Sequence, residues 1–402
     1  MFIMKVLALG GSGGMGRFAV ETCMEFENIS EVIVADINEE AAIAFSHSMN
    51  QKVSGLGLDV TDLNALKKAM KSADVVINTV GPFFKYGPPI LEAAIETGCH
   101  YLDINDDWEP TIEMLKFHKK AEDGNSTAIL GMGASPGLTN MLGAAAIQEL
   151  DEVETLYTGW TMDGAAPEEE SSQSGVNAAM IHAVQQMTGK VRVHNDGEPK
   201  MVKPLKQVTV DFPGFGEFKT HIFGHPEAIT FPHHFPSLKK SINLAHGSGF
   251  TILKWIMRLV DWKILSVEKA AGIVESLSSN IRKDLEEKGV ETGIDTVMRT
   301  DDPPPLYALA IGKKDGKTAS CGVTFQASDL ISMGEATGIP LACGLKLLVD
   351  RKITKKGVFA PEGVIDPDVF FQELDEISDL LKENEEINTD GPKFINIFRS
   401  WL

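Results

Sequence analysis

Cysteine is scarce in this chain of 402 residues, which contains Cys23, Cys99, Cys321 and Cys343 with no paired spacing among them. That pattern indicates neither a disulfide framework nor a zinc site, and it predicts a reducing compartment, the cytoplasm. Apolar runs long enough to span a bilayer are lacking as well. The amino end, MFIMKVLALGG, has no basic region before its apolar stretch, so a signal peptide is not expected.

Basic residues are in deficit. The chain has 37 Lys and Arg against 57 Asp and Glu, which gives a formal net charge of −20. Because this charge would repel nucleic-acid phosphates, no nucleic-acid partner is predicted. The histidines His225, His233 and His234 are interrupted by prolines and lack the ligand spacing of a helix, so no metal site is predicted either.

The amino-terminal part of the chain alternates short apolar runs, such as KVLALG and DVVINTV, with helix-like segments. Strands without polar alternation that are separated by helices predict a parallel sheet covered on both faces, in the doubly wound α/β class. After Gly137, segments such as VRVHNDGEPKMV and LYALAIGKKDGKTASCGVTF predict hairpins and a second, mixed α+β domain. The length of the chain also favours two domains over one.

The strongest local motif is GGSGGMGR, in which Gly11, Gly13 and Gly16 form a G-x-G-x-x-G pattern between a strand and a helix. These glycines serve a tight turn, a close approach of the backbone to a pyrophosphate, and close packing of the helix on the strand. A second strand ends at Asp36, where a carboxylate can bind the ribose hydroxyls of adenosine. The pattern predicts a Rossmann dinucleotide site formed by Gly11, Ser12, Gly13, Gly14, Met15, Gly16 and Asp36.

Asp36 also bears on the choice of cofactor. A carboxylate at this position repels a 2′-phosphate, and the next residues, Ile37 and Asn38, are not arginine, so NAD is favoured. Arg17, on the first helical turn, keeps NADP open as the alternative. By analogy with the fold, Asp59 and Val60, after the third strand, are expected beside the adenine ring.

The stretch INTVGPFFKYGPP, residues 77–89, ends the fourth strand with rings and an amine. Ligands of open α/β sheets bind at the carboxyl ends of the strands, so the loop from Thr79 through Gly81 and Pro82 is expected beside the ribose and nicotinamide. Lys85 or Tyr86 could then serve as a proton donor or carboxylate anchor, with ordinary surface exposure as the alternative.

Two further turns are expected at the same edge. HYLDINDDWEP brings Asp106, with its neighbours Asp103 and Asp107, to a position where one carboxylate could orient a substrate ammonium; capping of the next helix is the alternative. GMGASPGLTNMLG turns through glycines into a helix whose amino end could hold a substrate carboxylate. Polar contacts to substrate are expected from Ser135, Thr139 and Asn140.

Together, GGSGGMGR, VINTVGPFFKYGPPILEAAIETGCHYLDIND, GMGASPGLTNMLG and TGIPLACGLKLLVDRKITKKGVFAPEGVIDPDVFFQEL resemble the saccharopine dehydrogenase and lysine 6-dehydrogenase superfamily. The resemblance covers most of the chain. It implies hydride transfer between a nicotinamide cofactor and a carbon–nitrogen bond of an amino acid, by a homodimer. It also implies a Rossmann domain over residues 1–136, a substrate-binding and dimerisation domain over 137–327, and carboxyl-terminal helices over 328–402 that complete the first domain.

The resemblance is partial at the level of single residues. Pro82 and Phe83 fit the strand-four turn, where saccharopine-forming relatives usually carry Pro-Tyr, so Phe83 is expected to face substrate. Pro136 and Gly137 fit the family's DPG turn, but Ser135 replaces the aspartate, which weakens the case for saccharopine itself. The loop VGPFFKYG looks more like the saccharopine dehydrogenase-like oxidoreductases.

Two alternatives stay open. A nicotinamide-binding protein without turnover is conceivable because Ser135 replaces the family's carboxylate and no histidine base is evident. A reductase of an acyl or lipid-linked substrate is suggested by FTILKWIMRLVDWKILSVEKA, whose wide apolar face carries Lys254, Arg258 and Lys263 on its polar side. This segment is expected to be one helix in a core or dimer interface, with a membrane contact regarded as the less probable use.

Overall fold

A computed structural model describes residues 3–49, 51–162, 178–247, 249–287, 303–325, 332–381 and 394–401. The chain divides into two compact units. The first comprises Met1–Met141 and Gly334–Lys393, and the second comprises Leu142–Met333 and Phe394–Leu402. The predicted domain boundary between residues 327 and 328 lies outside the described residues.

The first unit begins with the predicted alternation of strands and helices, which is confirmed. Its elements are β1 (Met4–Leu9), α1 (Gly16–Met24), β2 (Ile29–Asp36), α2 (Glu39–Ser48), β3 (Val53–Gly57), α3 (Leu63–Met70), β4 (Val75–Asn78), α4 (Phe83–Thr97), β5 (His100–Asp103), α5 (Trp108–Leu115), α6 (His118–Asp123) and β6 (Thr127–Ile129). All four residues of β4 are buried, as expected for an inner strand of a sheet covered on both faces.

The remaining elements follow in chain order. They are α7 (Leu138–Gln148), β7 (Glu152–Thr161), α8 (Ala178–Gln186), β8 (Val191–Asn195), β9 (Glu198–Val202), β10 (Gln207–Phe212), β11 (Gly216–Ile222), α9 (Glu227–His234), β12 (Lys240–His246), α10 (Phe250–Asp261), α11 (Val267–Glu287), β13 (Leu306–Lys314), β14 (Lys317–Phe325), α12 (Met333–Val349), β15 (Gly357–Phe359), α13 (Pro367–Leu381) and β16 (Ile395–Trp401).

The sheet of the first unit has the order β15-β6-β5-β4-β1-β2-β3 in the described chain, and every pairing is parallel. From β1 the chain proceeds outward to β2 and β3, then returns to β4 on the other side of β1 and continues to β5 and β6. The direction of strand order therefore reverses between β1 and β4. Ligands of doubly wound sheets bind outside the carboxyl ends of the strands at such a switch point.

The sheet of the second unit runs β10-β11-β12-β7-β13-β14-β16, and the hairpin of β8 and β9 joins it beside β12. Its pairings are antiparallel except for that between β7 and β12, which confirms the predicted mixed domain. The predicted hairpin around Asp315 and Gly316 is present. Both residues have positive φ angles, 51° and 76°, as the tight turn of a two-residue hairpin requires.

Two predicted helices differ from the structure. Residues 83–86 were predicted in the loop after the fourth strand, but they form the first turn of α4, which begins at Phe83 and contains Pro88 and Pro89. The segment expected to be one helix from Phe250 is divided into α10 and α11, because Lys263 adopts a left-handed conformation with φ of 58°.

The carboxyl-terminal segment is shared between the two units. Helices α12 and α13 belong to the first unit, as does β15, which pairs with β6. Strand β16 instead extends the second sheet by pairing with β14. Among the described residues, no helix is both long and apolar enough to cross a membrane.

Candidate active site

The turn between β1 and α1 requires glycine for steric reasons. A Cβ atom on Gly16 would lie 2.2 Å from the carbonyl oxygen of Gly10, and one on Gly11 would lie 2.9 Å from the Cβ of Ala8. Gly10 itself has a φ of +71°. The turn is therefore as tight as the sequence motif predicts, and the amino end of α1 packs directly on it.

The outer side of this turn faces open space. A Cβ atom on Gly14 would meet nothing within 4 Å. Within the described chain, the N–H groups of Gly14 and Met15 have no acceptor, whereas Gly13 donates to Gly10 and Arg17 donates to Gly13. Unpaired N–H groups at a helix amino end bind phosphate, so the turn fits a dinucleotide pyrophosphate.

Asp36 is held at the end of β2 by two hydrogen bonds. The Ser12 hydroxyl donates to its Oδ2 at 2.7 Å, and the Asn38 N–H donates to its Oδ1 at 3.0 Å. A carboxylate has about four lone-pair sites, so both oxygens can still accept ribose hydroxyls. Ser12 thus connects the glycine turn to the predicted ribose ligand.

Asp59 and Val60 follow β3 at the same edge. Thr61 donates to Asp59 Oδ1 from its hydroxyl at 2.7 Å and from its N–H at 2.9 Å, and these bonds, followed by the nearby charge of Lys85, hold the pKa of Asp59 below its usual value. The structure therefore brings Lys85 toward Asp59.

Thr79 connects the end of β4 to the glycine turn. Its hydroxyl lies 3.0 Å from the carbonyl oxygens of Leu9 and Gly10, and a Cβ atom on Gly16 would approach it to 2.9 Å. The peptide bond between Gly81 and Pro82, which follows Thr79 closely in the chain, is cis. The end of β4 and the glycine turn after β1 are thus in direct contact at the switch point, where a dinucleotide binds in sheets of this kind.

The first turn of α4 orients its side chains in different directions. Phe83 is buried and Phe84 is 49% exposed. Lys85 donates to the Tyr86 hydroxyl at 2.9 Å, and the Tyr86 ring packs on the hydrophobic cluster that includes Leu58. Lys85 and Tyr86 are therefore brought together, and their roles as proton donor or carboxylate anchor stay predictions.

A buried polar network, missed in the sequence, connects β4, β5 and β6. Asn78 donates to the Tyr101 hydroxyl and Tyr101 donates to Asp103 Oδ2, both at 2.9 Å. Asp103 Oδ1 accepts from the N–H groups of Asn105 at 3.1 Å and Gly131 at 2.7 Å. Burial raises the pKa of Asp103 to about 6, partly opposed by these hydrogen bonds. Asp103 thus anchors two turns and is fully buried.

The other two acidic residues after β5 have separate positions. Asp107 is buried, and its Oδ2 accepts from the Phe84 N–H at 3.2 Å, so it caps α4 although it precedes α5. Asp106 is half-buried, and its charge is a minor cause of the raised pKa of Asp103. The predicted capping of the next helix is therefore wrong for Asp107, whose side chain makes no capping hydrogen bond to α5. The ammonium-binding role of Asp106 stays a prediction.

The turn after β6 is closed by its own hydrogen bonds. Gly137 has a φ of +125°, and a Cβ atom there would lie 2.0 Å from the Gly133 carbonyl oxygen. Leu138 donates to that oxygen at 2.9 Å, and Thr139 donates to Ala134 at 3.1 Å. These amino-end groups of α7 are therefore engaged within the turn, contrary to the expected carboxylate site. The Ser135–Pro136 bond in the same turn is cis.

Asn140 is the centre of a second group of contacts. Its Oδ1 accepts from the Gly137 N–H at 2.8 Å, and its Nδ2 donates to Glu362 Oε2 at 2.7 Å. Asn140 and Glu362 are both buried. Glu362 lies 222 positions along the chain from Asn140, and its only sequence signal was its place in the PEG of the family-like carboxyl segment.

Helix α12 packs against the glycine turn that joins β1 to α1. A Cβ atom on Gly338 would lie 2.6 Å from the Met15 carbonyl oxygen and 2.8 Å from the Ala19 nitrogen. Glycine at position 338 therefore allows α12 to pack against the amino end of α1. In the described chain, no group of three His, Cys, Asp or Glu side chains is arranged to hold a metal ion.

A parallel sheet with a glycine turn at its switch point and a carboxylate after the next strand defines a dinucleotide-binding protein. Residues 6–129 match the family model of the saccharopine dehydrogenase NADP binding domain. The resemblance predicted from the sequence motifs is confirmed, and the chain is similar to saccharopine dehydrogenase-like NAD(P)-binding oxidoreductases.

Individual relatives differ in how much of the chain they match. Carboxyaminopropylagmatine dehydrogenase of Synechocystis sp. is 23% identical over 420 residues, which cover 97% of this chain and 99% of that protein. The human saccharopine dehydrogenase-like oxidoreductase is 28% identical over 178 residues, which cover 42% of this chain and 38% of that protein.

Among solved structures, apo saccharopine dehydrogenase (L-Glu forming) from Saccharomyces cerevisiae is similar over 99% of this chain and 100% of that chain. The TM-score is 0.59 and the sequence identity is 17%. At this identity the likeness shows the shared fold.

Proposed function

We propose that this protein transfers a hydride between a nicotinamide dinucleotide and the carbon–nitrogen bond of an amino-acid-like amine or imine. The observation that carries the proposal is the turn after β1, in which the N–H groups of Gly14 and Met15 are unpaired within the described chain. This turn lies at the same edge of the parallel sheet as the polar turns that follow β5 and β6. The name of the Synechocystis relative, which aligns along nearly its whole length, supports an amine substrate.

The cofactor-binding role is assigned to residues at the switch point. The N–H groups of Gly14 and Met15 would bind the pyrophosphate, and Asp36, oriented by Ser12, would bind the adenosine ribose. Asp59 and Val60 would lie at the adenine, and Thr79, Gly81 and Pro82 along the nicotinamide half. The bound dinucleotide supplies the hydride acceptor or donor.

The substrate-binding role is assigned to the neighbouring turns. Phe83 would exclude water from the reacting carbon, and Ser135, Pro136, Thr139 and Asn140 would contact the substrate backbone. A carboxylate at Asp106 would pair with a substrate ammonium. Lys85 or Tyr86 would hold the proton that leaves or joins the nitrogen, and much of the rate enhancement would come from positioning.

The preference for NAD is proposed from the position of Asp36. A ribose 2′-phosphate would have to replace the Ser12 and Asn38 contacts of this carboxylate or lie against its charge. Arg17, the cation that the sequence offers for a 2′-phosphate, has its guanidinium 5.5 Å from the Phe18 ring centroid. NADP stays the alternative.

The test is formation of NADH or NADPH, followed by near-ultraviolet absorbance, when the protein meets NAD or NADP and an amine at alkaline pH. The panel contains lysine, saccharopine and carboxyaminopropylagmatine, with alcohols of similar size as controls. We expect reduction with an amine and none with an alcohol. Cofactor binding without reduction by any member of the panel would contradict the proposal and favour a protein without turnover.

Variants then assign the chemistry. Three variants, Tyr86→Phe, Lys85→Met and Asp106→Asn, should each lower kcat while leaving the dissociation constant of NADH unchanged. Unchanged kcat in the first two variants would remove those residues from the mechanism.

Three further properties are proposed from the sequence alone. The protein acts in the cytoplasm, as its unpaired cysteines suggest, and it works as a homodimer without a nucleic-acid partner. A role in lysine metabolism is the most direct reading of the family resemblance, and turnover of lysine or saccharopine in the panel above would support it.

A further inference from the structure

Helix α10 carries a row of large apolar side chains in solvent. Ile252 is 50% exposed, Trp255 is 56% exposed and Trp262, which follows the last residue of the helix, is 62% exposed. Their spacing of three and seven residues places them along one side of the helix. The adjoining side, with Leu253 and Ile256, is buried in the core of the second unit. The exposed row is therefore additional to the face that stabilises the fold.

The apolar surface continues into α11. Ile264, in the connection, is 69% exposed, and Ile273 is 46% exposed. An open groove of about 530 Å³ is lined there by Leu265, Lys269, Gly272, Ile273, Ser276 and Leu277. We define the outer patch as Ile252, Trp255, Trp262, Ile264 and Ile273. Large apolar side chains grouped in exposed positions on neighbouring helices usually mark an interaction site.

Several cations lie around the outer patch. Lys254, Arg258, Lys263 and Lys269 border it, and in the described chain none of them forms an ion pair with a carboxylate. The Arg258 guanidinium lies over the Trp255 ring at 5.1 Å from its centroid.

Elsewhere, lysines are commonly paired. Lys120 contacts Glu92 and Glu96, and Lys313 contacts Glu152. A protein with a net charge of −20 thus concentrates uncompensated cations beside its exposed tryptophans. Of the side chains described on the same two helices, the acidic ones are Asp261, which accepts from the Gly189 N–H, together with Glu268 and Glu275.

We propose that the outer patch docks on an anionic phospholipid surface. Indole rings combine an apolar body with an N–H donor and settle at the boundary of headgroups and acyl chains, and neighbouring cations are attracted to anionic headgroups. A second copy of the chain fits less well, because a two-fold contact through this patch would bring the same cations face to face. The remaining acidic surface would be repelled, so that the patch faces the lipid.

The test is co-sedimentation of the full chain with vesicles of phosphatidylcholine and phosphatidylserine in equal amounts, compared with phosphatidylcholine alone. We expect binding to the anionic vesicles, reversed by salt, and a blue shift of tryptophan fluorescence. The double variant Trp255→Ser with Trp262→Ser should lose binding. Replacing Lys254, Arg258 and Lys263 by Gln should weaken binding on the order of 100-fold.

Trp401→Ser is the matched control, because Trp401 is 44% exposed and lies in β16, away from α10 in sequence. It should bind vesicles as the unchanged protein does, and retained NADH binding verifies folding of each variant. Failure of the unchanged protein to sediment with anionic vesicles would overturn the proposal, as would binding that is indifferent to the tryptophan variants. If the tryptophan variants instead convert a dimer to a monomer in sedimentation velocity, the patch belongs to a second copy and the lipid proposal is wrong. None of these readouts depends on the proposed hydride transfer.

Discussion

The turn after β1 and the turn after β6 lie at the same edge of one parallel sheet, and both depend on glycine, yet their hydrogen bonds differ. In the first turn the N–H groups of Gly14 and Met15 have no acceptor in the described chain. In the second, Gly131, Gly137 and Leu138 all donate to acceptors within the unit. Similar glycine content therefore serves a ligand in one turn and internal support in the other.

This difference explains why a glycine pattern alone does not identify a binding site. A site needs donors that the fold leaves unpaired, whereas a support needs every buried donor paired.

The largest expected effect comes from adding a side chain within the turn after β1. Gly16→Ala forces a Cβ atom against the Gly10 carbonyl oxygen and should weaken NADH binding by about 100-fold, or about 3 kcal/mol. Fluorescence titration with NADH measures this. The control is Gly14→Ala, whose Cβ atom meets open space and should leave the thermal stability unchanged. Equal binding by the Gly16 variant and the unchanged protein would refute the steric account.

A swap of donor and acceptor tests the second turn. Asn140→Asp places a carboxylate against the buried Glu362 and removes its donor, so the free energy of unfolding should fall by about 3 kcal/mol. Adding Glu362→Gln restores a donor and should recover at least half of the loss. Urea denaturation gives both values. If the double variant is no more stable than Asn140→Asp alone, the two side chains are not coupled as described.

The pH dependence of stability should reveal Asp103. Its folded pKa of about 6 lies above the unfolded value of 3.8, so the folded state binds the proton more tightly. Stability from this group is complete below about pH 4 and is lost as the pH rises through about 6, by roughly 3 kcal/mol at most. Compared with Asp103→Asn, which cannot ionise, the unchanged protein should lose stability between pH 4 and 7. Parallel stability curves would argue against a protonated Asp103.

The smallest expected effect concerns cofactor choice at the first turn. Asp36→Ala should reduce a preference for NADH over NADPH by about 10-fold, since one repulsive charge is removed. Ser12→Ala, which removes the hydrogen bond to Asp36 but keeps the charge, should preserve the preference. Tighter binding of NADPH than NADH by the unchanged protein would contradict the assignment.

Local features of the sequence were enough for the first turn. Gly11 to Gly16 and Asp36 are close in sequence, and the motif encodes a steric requirement that the structure confirms. The parallel sheet and the succession of its strands along the chain also followed from the alternation of apolar segments. These predictions needed no knowledge of distant contacts.

The features that were missed depend on contacts between distant segments. Glu362 approaches Asn140 across 222 positions, and Asp107 caps α4 instead of its own helix. Residues 83–86 were predicted as a loop, but Pro82 is the N-cap residue of α4 and these residues form its first turn. No local pattern contains the partner that decides each of these cases.

The packing of Gly338 on Met15 has a consequence for synthesis of the chain. Because α12 completes the support of the glycine turn, the amino-terminal sheet must wait for more than three hundred residues to leave the ribosome before its turn is fully packed. Domains ordinarily fold as their segments emerge, so a partly supported sheet should persist during translation. Since a ligand that binds only the native state stabilises it, we expect nicotinamide dinucleotide to raise the fraction of folded protein at that last stage.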